Sequence, residues 1–480
     1  MRANSNPWAT IAQQIGADLF LDLQPDPLES ARGRGVRRRR DLASALRSAI
    51  ADGRLTAGTS LPPYRSLAAD LGLARGTVAA VYGELVGEGW LVARQGSGTR
   101  VADTGLRDTD SPTIAARRDT ALPKHDFQLG QPNTSLFPRT SWITSTRRAI
   151  STAPDNAFGP GHPQGSAVLR DALAGYLGRI RGVRADPAQI VLTTSVKHAL
   201  ELLSQNVFGE SIAVENYGLS MHRETIERGG TRTEPIAIDA DGAVIDDLPA
   251  DVRAVLLTPS HQYPTGVRLS PARRTAVIDW ARACGGLVVE DDYDGELRYD
   301  REPVGALQAL GPDVVIYTGS VSKSLSPAVR VAWLVLPPRL VDAVTWAKGI
   351  REPDASVLDQ LVLADMISSG AYDRHIRRSR AFYRRRRDLL TARLSEAGFE
   401  IPGIAAGLHA VIPLTPARES AVFEKAVRRR FGLASMQMFL HPAATQPPTG
   451  GIVVGFGTPG ASSFASDVEA LVDLVSADGG

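Results

Sequence analysis

Tyr317-Thr318-Gly319-Ser320-Val321-Ser322-Lys323-Ser324-Leu325-Ser326-Pro327-Ala328-Val329-Arg330 closes an apolar run that starts at Val314. A short apolar run of this kind reads as a buried strand, which puts the lysine in the loop that follows it. Ser320 stands three residues before that lysine and Arg330 seven after. A lysine amine desolvated in such a place can form an imine with an aldehyde. Hydroxyls and a guanidinium beside it suit an anion, with arginine forking across two of its oxygens.

Working outward, five more short apolar runs read as strands: Ile190 to Thr193, Ser211 to Val214, Ala254 to Thr258, Gly286 to Glu290 and Ala332 to Leu336. Helical patterns such as Pro271 to Cys284 lie between them. Alternation of this kind predicts an α/β domain with a mainly parallel sheet from Asp126 to the end of the chain, residues 126–480.

The expected cofactor is pyridoxal 5′-phosphate (PLP), which needs a lysine for its aldehyde, an anion cradle, a negative charge at its ring nitrogen and a flat apolar face. Lys323 supplies the first, and Ser320, Ser322 and Arg330 are placed for the phosphate. A second part of the cradle is expected where Thr193-Thr194-Ser195-Val196-Lys197 leaves a strand and opens a helix, because the free amides there attract anions. Val289-Glu290-Asp291-Asp292-Tyr293-Asp294 offers the ring nitrogen a carboxylate, either Asp291 or Asp292, and Tyr293 can donate to the ring's phenolic oxygen. Four acids in six residues would also suit a metal, but the apolar strand before them and the lysine 32 residues after Asp291 favour PLP and no metal. Tyr217 is the natural stacking aromatic.

The first hundred residues are of another kind. Net charge is +2, yet Leu28 to Ala102 carries 12 arginines against six acids, a local +6 that leaves −4 for the rest. A basic head on a mildly acidic body predicts a polyanionic partner for the head. Leu42, Leu46 and Ile50 have helical spacing in Asp41 to Asp52; Arg65 to Leu71 and Thr77 to Val86 read as two further helices. Trp90 to Arg94 and Thr99 to Ala102 flank the turn Gln95-Gly96-Ser97-Gly98 as a hairpin. Three helices and a hairpin predict a winged helix-turn-helix over residues 28–102, with the helix opened by Arg75 and Thr77 in the major groove of double-stranded operator DNA. Arg65 is placed to clamp a phosphate or a guanine, and the wing from Arg94 to Arg100 to lie along the minor groove. Arg37-Arg38-Arg39-Arg40 reads as a solvated arm before the first helix. Residues 103–125 lose periodicity and read as a linker.

At 480 residues two or three domains are expected. The chain has one cysteine, Cys284, no apolar run of about 18 residues and no signal-like start, which predicts a cytoplasmic protein without a membrane span.

Leu61-Pro62-Pro63-Tyr64-Arg65-Ser66-Leu67-Ala68, Gly72-Leu73-Ala74-Arg75-Gly76-Thr77-Val78 and Glu88-Gly89-Trp90-Leu91-Val92-Ala93-Arg94-Gln95-Gly96-Ser97-Gly98-Thr99 resemble GntR-type winged-helix domains. That resemblance implies DNA contacts at Arg65, Arg75, Thr77 and Gly98; Gly76, where the family usually has asparagine, offers no side chain. The body resembles fold type I aminotransferases, which implies Asp291 rather than Asp292 as the ring-nitrogen partner. Ser195 stands where that fold usually has glycine, and Tyr263 in Ser260-His261-Gln262-Tyr263-Pro264-Thr265-Gly266 where it usually has asparagine. His261 and Gln262 either touch the ring or shape the loop. Glu215-Asn216-Tyr217-Gly218 departs from the usual Pro-Gly-Tyr order.

Head and body together resemble the MocR/GabR family of bacterial regulators, as do Leu129-Gly130-Gln131-Pro132 and Tyr372-Asp373-Arg374-His375-Ile376-Arg377-Arg378. The resemblance implies a head-to-tail homodimeric transcription factor rather than an enzyme, with the body sensing PLP or a small amine. A working aminotransferase with an accessory DNA-binding domain is the alternative. Amino-acid-binding members carry an arginine for the substrate carboxylate in a strand near the C-terminus, where this chain has Ile452-Val453-Val454-Gly455-Phe456, so PLP itself is the expected signal. Eight arginines between Arg374 and Arg387 read either as an ordinary solvated helix face or as a helix that helps bend or hold operator DNA, and the second is the expectation.

Overall fold

The computed structural model describes residues 31–51, 53–94, 98–103, 123–299, 304–351 and 355–477. The chain divides into two compact units, Met1–Thr120 and Ala121–Gly480.

In the first unit, α1 (Ala31–Ala51), α2 (Tyr64–Asp70) and α3 (Arg75–Gly87) precede the antiparallel pair β1 (Leu91–Arg94) and β2 (Gly98–Val101). Leu42, Leu46, Leu67, Val78, Val81, Leu85, Leu91 and Val101 close one core beneath them. The turn residues 95–97 lie outside the described residues, as does most of the expected linker. One expectation needs correction: Arg37 to Arg40 are not an arm before the first helix but part of it, since α1 starts ten residues before Asp41. Arginine is a good helix former, and the helix is pinned to α3 by ion pairs of Arg39 with Glu84 and of Arg47 with Glu84 and Glu88.

The second unit holds a seven-stranded sheet in the order β3 (Ile190–Thr193), β11 (Ala332–Val335), β10 (Val315–Ser320), β9 (Leu287–Asp291), β8 (Ala254–Leu257), β4 (Ser211–Glu215) and β5 (Arg232–Ile236). Only β11 runs antiparallel to its neighbours. The two small strands β6 (Ile238–Asp239) and β7 (Gly242–Ala243) form a separate pair. The five central strands β11, β10, β9, β8 and β4, and β3 at one edge, are buried at every position, which is why they read as continuous apolar runs. β5 was not foreseen: Arg-Thr-Glu-Pro-Ile has neither an apolar run nor alternation, and its proline is tolerated because the strand is at the edge.

Helices α4 (Arg139–Thr152), α5 (Ala167–Arg181), α6 (Val196–Asn206), α7 (Ser220–Arg228), α8 (Pro271–Cys284), α9 (Pro338–Arg351) and α10 (Val357–Ser368) belong to the same unit. The long α11 (Ala371–Glu396) leads to a smaller antiparallel sheet of β12 (His409–Pro413), β14 (Gly451–Gly455) and β13 (Ala434–Ser435), with α12 (Pro416–Arg428) and α13 (Phe464–Ser476). The described helices include none long and apolar enough to cross a membrane.

Candidate cofactor pocket and DNA-reading face

In parallel α/β sheets, ligands sit beyond the carboxyl ends of the strands. Here those ends open into a cavity of about 440 Å³. All eleven residues nominated for the cofactor line it: Lys323, Asp291, Tyr293, Ser320, Ser322, Arg330, Ser195, Val196, Lys197, Tyr217 and Tyr263. Sheet register brings them together, since Asp291 at the end of β9 pairs with Thr318, two residues before the end of β10.

Lys323 donates from Nζ to the Gly130 carbonyl at 2.5 Å. Burial lowers its pKa, opposed by the charges of Asp291 and Asp294. Gly130 is in the left-handed region (φ +65), and a Cβ there would lie 2.9 Å from the lysine Nζ.

Asp291 and Asp292, adjacent in sequence, have opposite fates. Asp292 is consumed by a buried pair with Arg181 at 2.7 Å and by the Tyr317 hydroxyl at 2.7 Å. Asp291 faces the cavity, and its Oδ1 is buried without a hydrogen-bond partner. Burial, with the charges of Asp292 and Asp294, pushes its carboxyl up to about 7, against the pull of Lys323. The nearby His222, 3.8 Å from Oδ2, is held down to about 4 by burial and stays neutral. A buried carboxylate oxygen left in this state is a site for an N–H donor of a ligand.

Tyr293 places its hydroxyl 2.9 Å from His261 Nδ1, which also lies 2.7 Å from Asp294 Oδ2. The carboxylate is the stronger acceptor, so Nδ1–H donates to Asp294, and the Tyr293 hydroxyl also hydrogen-bonds to the Asp294 carboxylate. Gln262 shapes the loop: its amide nitrogen donates to the Tyr217 and Tyr263 carbonyls and its oxygen accepts from Thr265. Tyr263 stands edge-on to Tyr293, His409 and Phe439 at 5.7, 4.9 and 5.4 Å. Tyr217 accepts from the Thr449 amide at 2.7 Å.

On the anion side, Ser195 caps α6 by accepting from the His198 amide at 3.1 Å, and Val196 and Lys197, the first residues of that helix, line the cavity. Its φ of −171° is extended backbone, so the position needs no glycine. Arg330 is exposed and left-handed (φ 57), with no ion pair among the described residues. Missed in the sequence were His222 and His409, which reach the cavity from elements that carry no local signal; Glu215, pushed up to about 7 by burial, and Asp294 lie in stretches singled out there but were given no role. Among the described residues, no group of three His, Cys, Asp or Glu is arranged to hold a metal ion.

The head presents its own sorted set of arginines. Arg39 and Arg47 are paired with acids and Arg100 donates to the Gly58 carbonyl at 3.1 Å. Arg65, Arg75 and Arg94 are exposed and without ion pairs among the described residues, at the start of α2, the start of α3 and the end of β1. Thr77 is half-buried in the first turn of α3, and Gly98 is left-handed (φ +81) where β2 begins.

Residues 38–101 match the family "Bacterial regulatory proteins, gntR family" and residues 124–442 match "Aminotransferase class I and II". The pyridoxine biosynthesis transcriptional regulator PdxR of Corynebacterium glutamicum is 32% identical over 439 residues, covering 91% of this chain and 95% of that protein. The Rhizobium meliloti protein named "Probable rhizopine catabolism regulatory protein MocR" is 30% identical, covering 87% and 89%. The chain belongs to the MocR-type family of transcriptional regulators. Its body has the fold of a kynurenine aminotransferase from Pyrococcus horikoshii, with a TM-score of 0.67 at 23% identity over 77% of this chain and 95% of that one.

In this MocR-type chain the position expected to lack an arginine is Val453, fully buried in β14 beside Tyr217, Tyr263 and Met436. The cavity is lined by two arginines, Arg330 and Arg223. Arg223 is spent on the carbonyls of Gly218 and Phe439 at 3.0 and 3.1 Å.

Proposed function

We propose that the pocket binds PLP and that its occupancy controls operator binding by the winged helix. The observation that carries this reading is the unpartnered Asp291 Oδ1 in the same cavity as a lysine of lowered pKa. On this reading Asp291 accepts from the ring N–H and Lys323 joins the aldehyde. Tyr293 donates to the phenolic oxygen, while Tyr217 and Tyr263 enclose the ring. Ser320, Ser322, Arg330 and the Ser195, Val196 and Lys197 turn hold the phosphate. Bound PLP supplies an aldehyde able to exchange its lysine for another amine.

The effector is PLP itself rather than an amino acid. With Val453 apolar and Arg223 consumed, the pocket has among the described residues no free guanidinium besides Arg330, which the phosphate needs. The printed name of the Corynebacterium relative, a regulator of pyridoxine biosynthesis, supports the same signal. The chain therefore acts as a homodimeric regulator in the cytoplasm, with a head over 28–102, a linker over 103–125 and a sensor over 126–480. Arg65, Arg75, Thr77, Arg94 and Gly98 make its DNA contacts, and the body does not sustain transamination.

The test is an absorbance titration with PLP, followed by borohydride and peptide mapping, beside a mobility shift on the upstream DNA of its own gene. A visible band, label at Lys323 and a PLP-dependent shift are expected. No band and no label would overturn the sensor reading. Sustained turnover of amino and keto acids would favour the enzyme instead.

A further inference from the structure

Helix α11 contains nine arginines against Asp373, Asp388 and Glu396, and the fold uses only some of them. Arg386 is buried and donates to the carbonyls of Phe456, Gly457 and Pro459 at 3.0, 3.0 and 2.6 Å. Its guanidinium also lies over the rings of Phe382 and Phe464. Arg380 donates to the Glu296 carbonyl, and Arg393 pairs with Glu396 and Glu469. Arg377, Arg378, Arg384 and Arg385 are exposed and have no hydrogen bond or ion pair among the described residues.

At 3.6 residues per turn these four fall in a stripe about 120° wide and about 12 Å long. Arg374, which donates to the Ser369 carbonyl at 3.3 Å, shares the stripe, and Asp388 at its far end is the one acid on it. Helix stability does not account for the arrangement. Cations in the first turns oppose the helix dipole, and the Arg374–Arg377 and Arg374–Arg378 spacings bring like charges together. A stripe of five arginines against one acid, four of them without a hydrogen bond or ion pair among the described residues, is complementary to an external polyanion.

We propose that this stripe is a second DNA contact, a sequence-independent phosphate-binding strip on the body that engages duplex flanking the site read by the head. The inference rests on the DNA-reading head, which keeps a duplex tethered to the body at high local concentration. Duplex DNA carries one negative charge per about 1.7 Å of axis, so a strip of this length faces about seven.

The experiment compares the full-length protein with its R377Q/R378Q/R384Q/R385Q variant on two duplexes, one limited to the footprint of the head and one extended on both sides. Binding is measured from low to moderate salt. On the extended duplex the variant should bind at least tenfold more weakly at low salt, whatever the flanking sequence. Its log–log salt slope should fall by about 0.9 per lost phosphate contact. The short duplex should be bound as before. A variant with lysine at all four positions should retain the extended-duplex affinity, and one as weak as the glutamine variant would refute charge attraction.

An unchanged salt slope on the extended duplex would overturn the proposal. So would an equal loss on the short one, or a shift in sedimentation showing that the stripe holds a protein partner. The PLP absorbance band of the same samples reports on the pocket separately, and its absence would count against the sensor reading alone.

Discussion

At the scale of single residues, function is divided among neighbours that look interchangeable in sequence. Asp291 and Asp292 differ only in which way the strand end turns them, yet one meets Arg181 and Tyr317 and the other an open cavity. The unpaired carboxylate has a consequence for stability. Its folded pKa of about 7 lies above the ordinary aspartate value of 3.8, so folding is penalised fully above pH 7, and the penalty fades as pH falls towards 4. At about 1.4 kcal/mol per unit, cofactor-free Asp291→Asn should be the more stable protein at pH 8 by a few kcal/mol. The gain should vanish near pH 4, as followed by urea denaturation. With PLP present the order should reverse, because asparagine cannot stabilise a protonated ring nitrogen. Arg330 has no protein partner to lose; Arg330→Ala should weaken PLP binding roughly 10- to 100-fold in a fluorescence titration while leaving the melting of the cofactor-free protein unchanged.

Elements carry the next level of information, and their ends matter more than their middles. The central strands were legible because both faces are buried, and α8 was legible from Pro271 to Cys284 because proline opens it and a left-handed glycine, Gly285, follows it. β5 and the first ten residues of α1 were not, since an edge strand need not be apolar and an arginine run reads equally as arm or helix. Helix α6 shows how an end becomes a site: Ser195 caps it through its hydroxyl while Val196 and Lys197 after it line the cavity. Ser195→Ala should therefore cost about 1 kcal/mol of stability by thermal melting. PLP affinity should fall only slightly, because the backbone amides remain.

The whole molecule is two units with separate cores, and that separation is itself testable. Leu85 is fully buried in the core of the head. Leu85→Ala should destabilise that unit by about 2–5 kcal/mol and abolish the operator shift, with the PLP band of the body intact. A calorimetric scan showing both transitions lowered together would contradict such independence. The chain's own letters were enough to read a winged-helix head and an α/β body and to nominate Lys323 with the residue types around it, because strand burial, glycine turns and charge segregation are local properties. Tertiary structure alone decided that Asp292 is spent on Arg181 and Tyr317, which arginines of α11 are spent and that His222 and His409 join the pocket. Those outcomes depend on where strands and loops distant in sequence converge, and partners that far apart leave no periodic trace along the chain.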